Sequence, residues 1–135
     1  AVAILRASFA ALDIRASGDL DMPVRMSEEN AMIILSNLAD NATRHGGTVF
    51  DLSAARQGTL LVLTVSDNGE GVSPNNRARI FDSFFTTRRD SGGTGMGLAI
   101  VRAVLEAHGG TIRLADSEAG AAFEVKMPIA DSALS

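Results

Sequence analysis

The chain contains no cysteine and only two histidines, His45 and His108, which lie far apart in the sequence. These absences exclude a disulfide framework and a clustered zinc site, because neither has the ligands that it needs. The composition suits a reducing compartment. At 135 residues the chain is nevertheless long enough to bury one core without cross-links. We therefore predict a single domain over residues 1–135.

The sequence also lacks a long apolar run and a strongly basic character. No stretch approaches the roughly 18 to 20 apolar residues that span a bilayer, and the start, AVAILRASFAALDIR, lacks a basic leader with a cleavage site. The net charge is −4 and the twelve Lys and Arg are scattered apart from one cluster, which argues against nucleic-acid binding. We expect a cytoplasmic, monomeric piece excised from a longer protein, because the chain opens without Met in an amphipathic stretch. Membrane anchorage of that parent protein stays open.

A long amphipathic helix is predicted over residues 28–45. Ser27 is a suitable N-cap, acidic residues occupy the first turn, and Gly46-Gly47 ends the helix. At 100° per residue, one face carries Ala31, Leu35, Leu38 and Ala42, and nearly the opposite face carries Asn37, Asn41 and Arg44. One side is therefore expected to pack while the other presents amides and a guanidinium.

The remaining segments predict a mixed sheet covered by helices. A short helix is expected over 2–11, with Val2, Leu5, Phe9 and Leu12 on one side, and a turn at Gly18-Asp19 between the edge-like extended segments LDIRA and MPVRM. Residues 48–54 and 59–66 are typical of an antiparallel hairpin. A second helix is predicted over 96–108, with Leu98, Val101 and Leu105 on one face. TIRLA and AAFEVKMP complete the sheet beside the hairpin.

Five segments occur in an order that resembles a known superfamily. They are NLADNATRH, DNGEGV, IFDSFFTTR, GGTGMGLAIV and a less typical GAAFEVKMP, in which only Gly120 carries over. As a set spanning 27–128 they resemble the ATPases and kinases that include DNA gyrase, Hsp90 and, most of all, the ATP-binding catalytic domain of sensor histidine kinases. The resemblance implies a two-layer α/β (α+β) sandwich of the Bergerat type, with a mixed, mostly antiparallel sheet and helices on one face. It also implies ATP and Mg²⁺ as cofactors.

The helical face around Asn41 is assigned to the metal and the phosphates. An amide oxygen is a hard ligand that suits Mg²⁺, and the resemblance gives Asn41 that role. Arg44, about one turn further on, can meet phosphate oxygens, and His45 can contact the adenine or ribose. The alternatives are a merely solvated Asn and cations that complement the helix dipole.

Asn37 matters for the chemistry that an amide cannot do. It occupies the position, one turn before the metal ligand, where the gyrase-like and Hsp90-like ATPases carry a water-activating Glu. General-base help is typically worth ~10² to 10⁴ in rate, so hydrolysis should be slow here. Transfer to a neutral imidazole, whose pKa is ordinarily ~6.5, needs less help. Asn37 therefore favours a kinase over an ATPase.

Asp67, Gly69 and Gly71 are predicted to hold the base. A carboxylate at the end of an apolar strand can accept from the exocyclic amine of adenine, as the resemblance implies, whereas guanine presents an acceptor there. The glycines permit close approach of the backbone. The alternative is a strand-end Asp that merely opens a turn.

The third constellation, Gly93, Thr94, Gly95, Gly97 and Leu98, is expected to present backbone N–H groups and a helix start to the phosphates. It is neither a P-loop nor a Rossmann fingerprint. Residues 73–95 resemble the family's lid, in which either Arg88 or Arg89 is expected to reach the γ-phosphate. The other lid cations, Arg77 and Arg79, suit an exposed loop equally well. The lid phenylalanines, Phe81, Phe84 and Phe85, are predicted either to pack in the hydrophobic core or to dock the lid on the domain that carries the acceptor histidine.

The predicted reaction is transfer of the γ-phosphoryl group of Mg-ATP to a histidine. Neither His45 nor His108 suits the acceptor role, because each precedes Gly while acceptors of the family usually precede an acidic residue. The acceptor is therefore expected upstream, in dimerising helices of a homodimeric parent, with a response-regulator receiver domain as the later partner. The alternatives are a non-catalytic ATP sensor and a serine-directed or ATP-hydrolysing member of the superfamily.

Overall fold

A computed structural model describes residues 2–20, 23–70, 97–115 and 120–130. Three helices and five strands occur in the described chain. In order they are α1 (Val2–Ser8), β1 (Asp13–Gly18), α2 (Glu28–Arg44), β2 (Val49–Gln57), β3 (Leu60–Asp67), α3 (Gly97–Ala107), β4 (Thr111–Ala115) and β5 (Ala122–Pro128). No helix among the described residues is both long and apolar enough to cross a membrane.

The five strands form one mixed sheet in the order β1-β2-β3-β5-β4. Strands β1 and β2 are parallel, whereas the other three neighbouring pairs are antiparallel. The predicted hairpin is therefore present as β2 and β3, and the two C-terminal strands complete the sheet beside β3, as expected. The segment LDIRA supplies the edge strand β1, whereas the described part of MPVRM, residues 23–26, forms an isolated bridge from Val24 to Ile129.

One face of the sheet is buried beneath the helices. The side chains that share this face in register include Leu52, Val65 and Phe123, and all three are buried. They join the core with α2 and α3, which pack against each other. The alternate positions on β3 and β5 include the exposed Thr64 and the half-buried Glu124. This alternation confirms the prediction of a two-layer sandwich with helices on one face.

Helix α2 follows its predicted bounds closely. The hydroxyl of Ser27 accepts a hydrogen bond from the backbone N–H of Asn30 at 3.1 Å, which makes Ser27 the N-cap. Gly46 follows the helix with a φ of 81°, in the left-handed region that glycine adopts freely. The buried face is broader than predicted. It comprises Ile34, Leu35, Leu38, Ala39 and Ala42, whereas Ala31 is only partly buried.

Helix α1 is shorter than predicted and ends at Ser8. The chain then turns, because the backbone N–H of Leu12 donates to the carbonyl of Phe9 at 3.0 Å. The Arg6 guanidinium also donates to the carbonyl of Ile14 at 3.0 and 3.3 Å, which ties the helix to β1. Leu5 and Leu12 are buried as expected and Phe9 packs against the core, while the side chain of Val2 lies outside the described part.

The outward face of the sheet carries an ion pair across β4 and β5. The Arg113 guanidinium donates to both carboxylate oxygens of Glu124, at 2.9 and 3.0 Å. This bidentate hydrogen bond lowers the pKa of Glu124 below its ordinary value, with a smaller contribution from Lys126.

Candidate nucleotide-binding site

Four parts of the fold meet at one end of the sheet. They are the C-terminal half of α2, the end of β3 with the turn that follows, the start of α3, and the turn that precedes β5. Asp67, on β3, is the central polar residue of this region. The sequence segments around Asn41 and Asp67 are therefore brought together, as the resemblance implied.

The Asp67 carboxylate is held in one orientation by the backbone. Its Oδ1 accepts hydrogen bonds from the backbone N–H of Gly69 at 2.8 Å and of Ala121 at 3.3 Å. Oδ2 has no hydrogen-bond partner among the described residues. The side chain is half-buried. One oxygen is thus engaged with the protein and the other remains able to accept a hydrogen bond.

Three glycines allow the backbone to pack closely around Asp67. A Cβ atom on Gly69 would lie 2.6 Å from the carbonyl oxygen of His45, and one on Gly47 would lie 2.8 Å from the carbonyl oxygen of Ala42. Gly120 has a φ of 71°, and a Cβ there would collide with the backbone oxygen of Asp67. Each position therefore requires glycine for close backbone contact. Gly69 was predicted, and the Gly120 contact explains why only that residue of the last motif carried over.

The polar face of α2 points toward the start of α3. The Asn37 side chain donates from Nδ2 to the carbonyl of Ile33 at 2.7 Å, and its Oδ1 lies 3.3 Å from the position of a Cβ on Gly97. Asn41 is half-buried, and its amide has no hydrogen-bond partner within the described ranges. The amide oxygen of Asn41 is therefore able to bind a ligand, as its predicted role requires.

Arg44 has an acidic neighbour that the sequence interpretation missed. Its Nε lies 2.7 Å from Oδ2 of Asp40, one turn back on α2, in a half-buried ion pair. An i,i+4 pair of this kind was visible in the spacing. His45 is the C-cap of α2, and its carbonyl accepts from the backbone N–H of Glu70 at 2.9 Å. Both Arg44 and His45 make further interactions.

Gly97 and Leu98 begin α3, as predicted for the end of the glycine-rich segment, and Leu98 packs on the core. The remaining predicted site residues lie outside the described residues and stay predictions. They are Gly71, Arg88, Arg89, Gly93, Thr94 and Gly95, together with the rest of the lid at 73–95, including Arg77, Arg79, Phe81, Phe84 and Phe85.

The described donors suit a metal that is shared with a ligand better than one held by the protein alone. No group of three or more His, Asp or Glu side chains that could hold a metal occurs in the part of the chain that the structure describes. Mg²⁺ is commonly bound by one or two protein oxygens plus phosphates and water. The single unpartnered amide oxygen of Asn41 fits that pattern.

The mixed sheet, the paired helices and the half-buried polar side chains of Asn41 and Asp67 at one end of the sheet suit an ATP-binding domain. The chain belongs to the histidine kinase-, DNA gyrase B- and HSP90-like ATPase family, whose model matches residues 26–131.

Three relatives are similar over most of this chain. The sensor-like histidine kinase SenX3 of Mycobacterium tuberculosis is 33% identical over 125 residues, which cover 86% of this chain and 30% of SenX3. The alginate biosynthesis sensor protein KinB of Pseudomonas aeruginosa is 36% identical over 99 residues, covering 71% of this chain and 17% of KinB. The structure of full-length ShkA in complex with AMPPNP aligns with a TM-score of 0.70 and 30% identity, covering 93% of this chain and 28% of ShkA. The chain therefore spans less than a third of each of these proteins.

Proposed function

We propose that this chain is the ATP-binding catalytic domain of a two-component sensor histidine kinase, which transfers the γ-phosphoryl group of Mg-ATP to a histidine on a separate dimerisation domain. The observation that carries the proposal is the Asp67 carboxylate, with Oδ1 fixed by two backbone N–H groups and Oδ2 left to accept. The names of SenX3 and KinB, a histidine kinase and a sensor protein, support the wider assignment.

The direction of one hydrogen bond, from donor to acceptor, selects the base. Oδ2 of Asp67 is an acceptor, and the exocyclic amine of adenine is a donor. Guanine would present a carbonyl oxygen at the same place, and two acceptors facing each other would both lose their hydrogen bonds. The glycines at 47, 69 and 120 let the backbone segments around Asp67 pack closely, which helps to hold this acceptor in one place. The proposal therefore includes selection of ATP over GTP.

The triphosphate is assigned to the polar face of α2 and the start of α3. Asn41 would hold Mg²⁺ through its amide oxygen and Arg44 would meet phosphate oxygens, with one of Arg88 and Arg89 completing the contacts from the lid. Bound Mg²⁺ neutralises charge on the phosphates and so favours transfer of the terminal phosphoryl group. Asp40 is ion-paired to Arg44, so the phosphates would compete with this carboxylate for the guanidinium.

Asn37 is the residue that separates transfer from hydrolysis. Its Nδ2 donates to the Ile33 carbonyl, so its amide oxygen faces the start of α3. An amide oxygen can orient a group by accepting a hydrogen bond, but it cannot take a proton from water at neutral pH. An imidazole nucleophile has less need of such a base, because the attacking nitrogen of neutral imidazole bears no proton and is already nucleophilic near neutral pH. The site is accordingly proposed to favour a histidine acceptor over water.

The acceptor histidine is assigned to dimerisation helices of the same protein, because the two histidines of this chain have structural roles within the domain. His45 caps α2, and His108 bonds within the fold, with Nδ1 2.7 Å from the Val104 carbonyl and Nε2 3.3 Å from the Asn30 side chain. A response-regulator receiver domain would then take the phosphoryl group. The parent protein is proposed to be a homodimer that holds this domain in the cytoplasm.

Two measurements test the proposal in sequence. Calorimetric titration of the 135-residue protein with AMPPNP and Mg²⁺ should give saturable binding, and the guanine analogue should bind more weakly. Adding the protein's dimerisation domain and radiolabelled ATP should then yield an acid-labile phosphohistidine. Binding without phosphohistidine would indicate an ATP sensor, and acid-stable phosphoserine or rapid phosphate release would indicate the other members of the superfamily. Absence of binding would refute the proposal altogether.

A further inference from the structure

Asn68, between the proposed base acceptor and Gly69, is exposed, yet its side chain makes three hydrogen bonds. Its Oδ1 accepts from the backbone N–H of Thr48 at 2.8 Å and from that of Val49 at 2.9 Å, and its Nδ2 donates to Thr48 Oγ1 at 2.9 Å. These three hydrogen bonds join residues about twenty positions apart in the sequence, with sequence separations of 20 and 19. An ordinary turn asparagine bonds to its own neighbours instead.

The partners of Asn68 lie directly after α2. Thr48 follows the Gly46-Gly47 pair that ends that helix, and Val49 begins β2. Backbone contacts reinforce the junction, because the N–H of Glu70 donates to the carbonyl of His45 at 2.9 Å. Gly69 approaches the same carbonyl so closely that only a missing Cβ allows it. The side chain of Asn68 contributes three of the hydrogen bonds between residues 67–70 and 45–49.

This junction separates the two halves of the proposed site. On one side, Asp67 meets the base, and on the other, α2 carries Asn41 and Arg44 for the metal and phosphates. A displacement of about 1 Å in a site can cost on the order of 100-fold in function. We infer that Asn68 is a positioning residue that fixes the end of α2 relative to Asp67, so that one nucleotide satisfies the base contact and the phosphate contacts together. The inference rests on the proposed function.

Two substitutions at this position should behave differently. Asn68→Ala removes the acceptor of two backbone N–H groups and the donor to Thr48, so the turn and the helix end can shift apart. Asn68→Asp keeps an acceptor for both N–H groups, and its second oxygen can accept from the Thr48 hydroxyl, which is both donor and acceptor. The aspartate variant should therefore restore the coupling, although the exposed extra charge lies near the site.

The experiment measures how much affinity the phosphates add. For each variant, the Kd of AMP and the Kd of AMPPNP with Mg²⁺ are determined by competition against a fluorescent adenine nucleotide. The Kd of AMP divided by the Kd of AMPPNP then gives the affinity that the added phosphates contribute. Asn68→Ala should lower this ratio by about tenfold or more, the loss of one charge-assisted hydrogen bond, while Asn68→Asp should stay near the parent. Asn30→Ala is the matched control, because this asparagine also bonds by its side chain but at the other end of α2.

A purely structural role would lower stability without changing the ratio for the molecules that remain folded. An unchanged ratio in Asn68→Ala would therefore overturn the inference, and so would an equal loss in Asn68→Asp. If Asn68→Ala does not fold, Thr48→Ala, which removes only the hydroxyl partner, carries the test: a smaller fall in the ratio supports the inference and none refutes it. Failure of the parent protein to bind AMPPNP would instead refute the proposed function.

Discussion

Replacement of Asp67 by Asn tests the base contact with almost no change in shape. The side chain can keep its carbonyl oxygen at the Oδ1 position, where the N–H groups of Gly69 and Ala121 donate at 2.8 and 3.3 Å. The opposite orientation would point an NH₂ group at two N–H donors and is disfavoured. The new NH₂ group must therefore occupy the Oδ2 position and face the base.

This orientation determines how the substitution changes the affinity for adenine and guanine nucleotides. A donor would replace a charged acceptor opposite the exocyclic amine of adenine, so the hydrogen bond is lost and two donors face each other. Hydrogen bonds to charged groups contribute about 1.5–3 kcal/mol, which corresponds to roughly 10- to 150-fold in Kd. The carbonyl oxygen of guanine would meet the same donor favourably. Asp67→Asn should therefore weaken AMPPNP binding and narrow or reverse the preference over the guanine analogue.

Calorimetry with both analogues and Mg²⁺ measures these affinities directly. Asp51→Asn is the control, because Asp51 lies on β2 opposite Ser66 on the outward face and its substitution removes the same charge. That variant should bind like the parent protein. Thermal unfolding should show little loss for Asp67→Asn, since Oδ1 keeps both donors. Unaltered AMPPNP affinity in a folded Asp67→Asn protein would show that this carboxylate does not recognise the base.

Three further predictions follow from single contacts. Gly58→Ala should lower the free energy of unfolding by about 1–2 kcal/mol, because Gly58 has a φ of 62° and open space around it. Gly120→Ala should lower it by about 3 kcal/mol or more in urea unfolding, because its Cβ would collide with the backbone. Equal losses in the two variants would contradict the collision. Asn41→Asp should alter the Mg²⁺ dependence of AMPPNP binding while AMP affinity stays close to the parent value, and a larger effect on AMP would speak against a metal ligand. Glu124 has a lowered pKa, so its ion pair with Arg113 on β4 stabilises the fold fully above the ordinary pKa of 4.5 and is lost as pH falls through the lowered value. Glu124→Gln should therefore reduce the loss of unfolding free energy on acidification, and an unchanged loss would refute this.

Local signals in the sequence predicted most of the fold. Ser27 before two glutamates and Gly46 after His45 set the ends of α2 through capping and the macrodipole, which depend only on neighbours in sequence. The hairpin was likewise visible from its apolar runs, although β2 continues to Gln57. These last residues of β2 are mostly exposed, so it is pairing with β3, and not burial, that extends the strand.

Contacts between distant segments could not be predicted in the same way. The parallel pairing of β1 with β2 depends on the register Ile14 to Phe50, which no local pattern specifies. The second N–H donor to Asp67 comes from the backbone of Ala121, and a backbone donor leaves no mark in residue type. The family resemblance supplied the positions of Asn41 and Asp67, while the contacts that orient the carboxylate emerge only from the assembled sheet.

Asn37→Glu tests whether the missing base is what limits hydrolysis. Asn37 lies one turn before Asn41 on the same face of α2, and its Oδ1 approaches the start of α3 next to Gly97. A glutamate there would extend its carboxylate by one methylene toward the proposed phosphate site, where it could take a proton from an attacking water. General-base catalysis typically contributes ~10²- to 10⁴-fold, so even imperfect geometry should raise phosphate release measurably. Asn37→Gln supplies the matched control, because it has the same length without a base and should leave hydrolysis slow. If the glutamate variant binds AMPPNP normally and releases phosphate no faster than the glutamine variant, the amide at this position is not what favours transfer over hydrolysis, and the preference must come from how the histidine acceptor is presented.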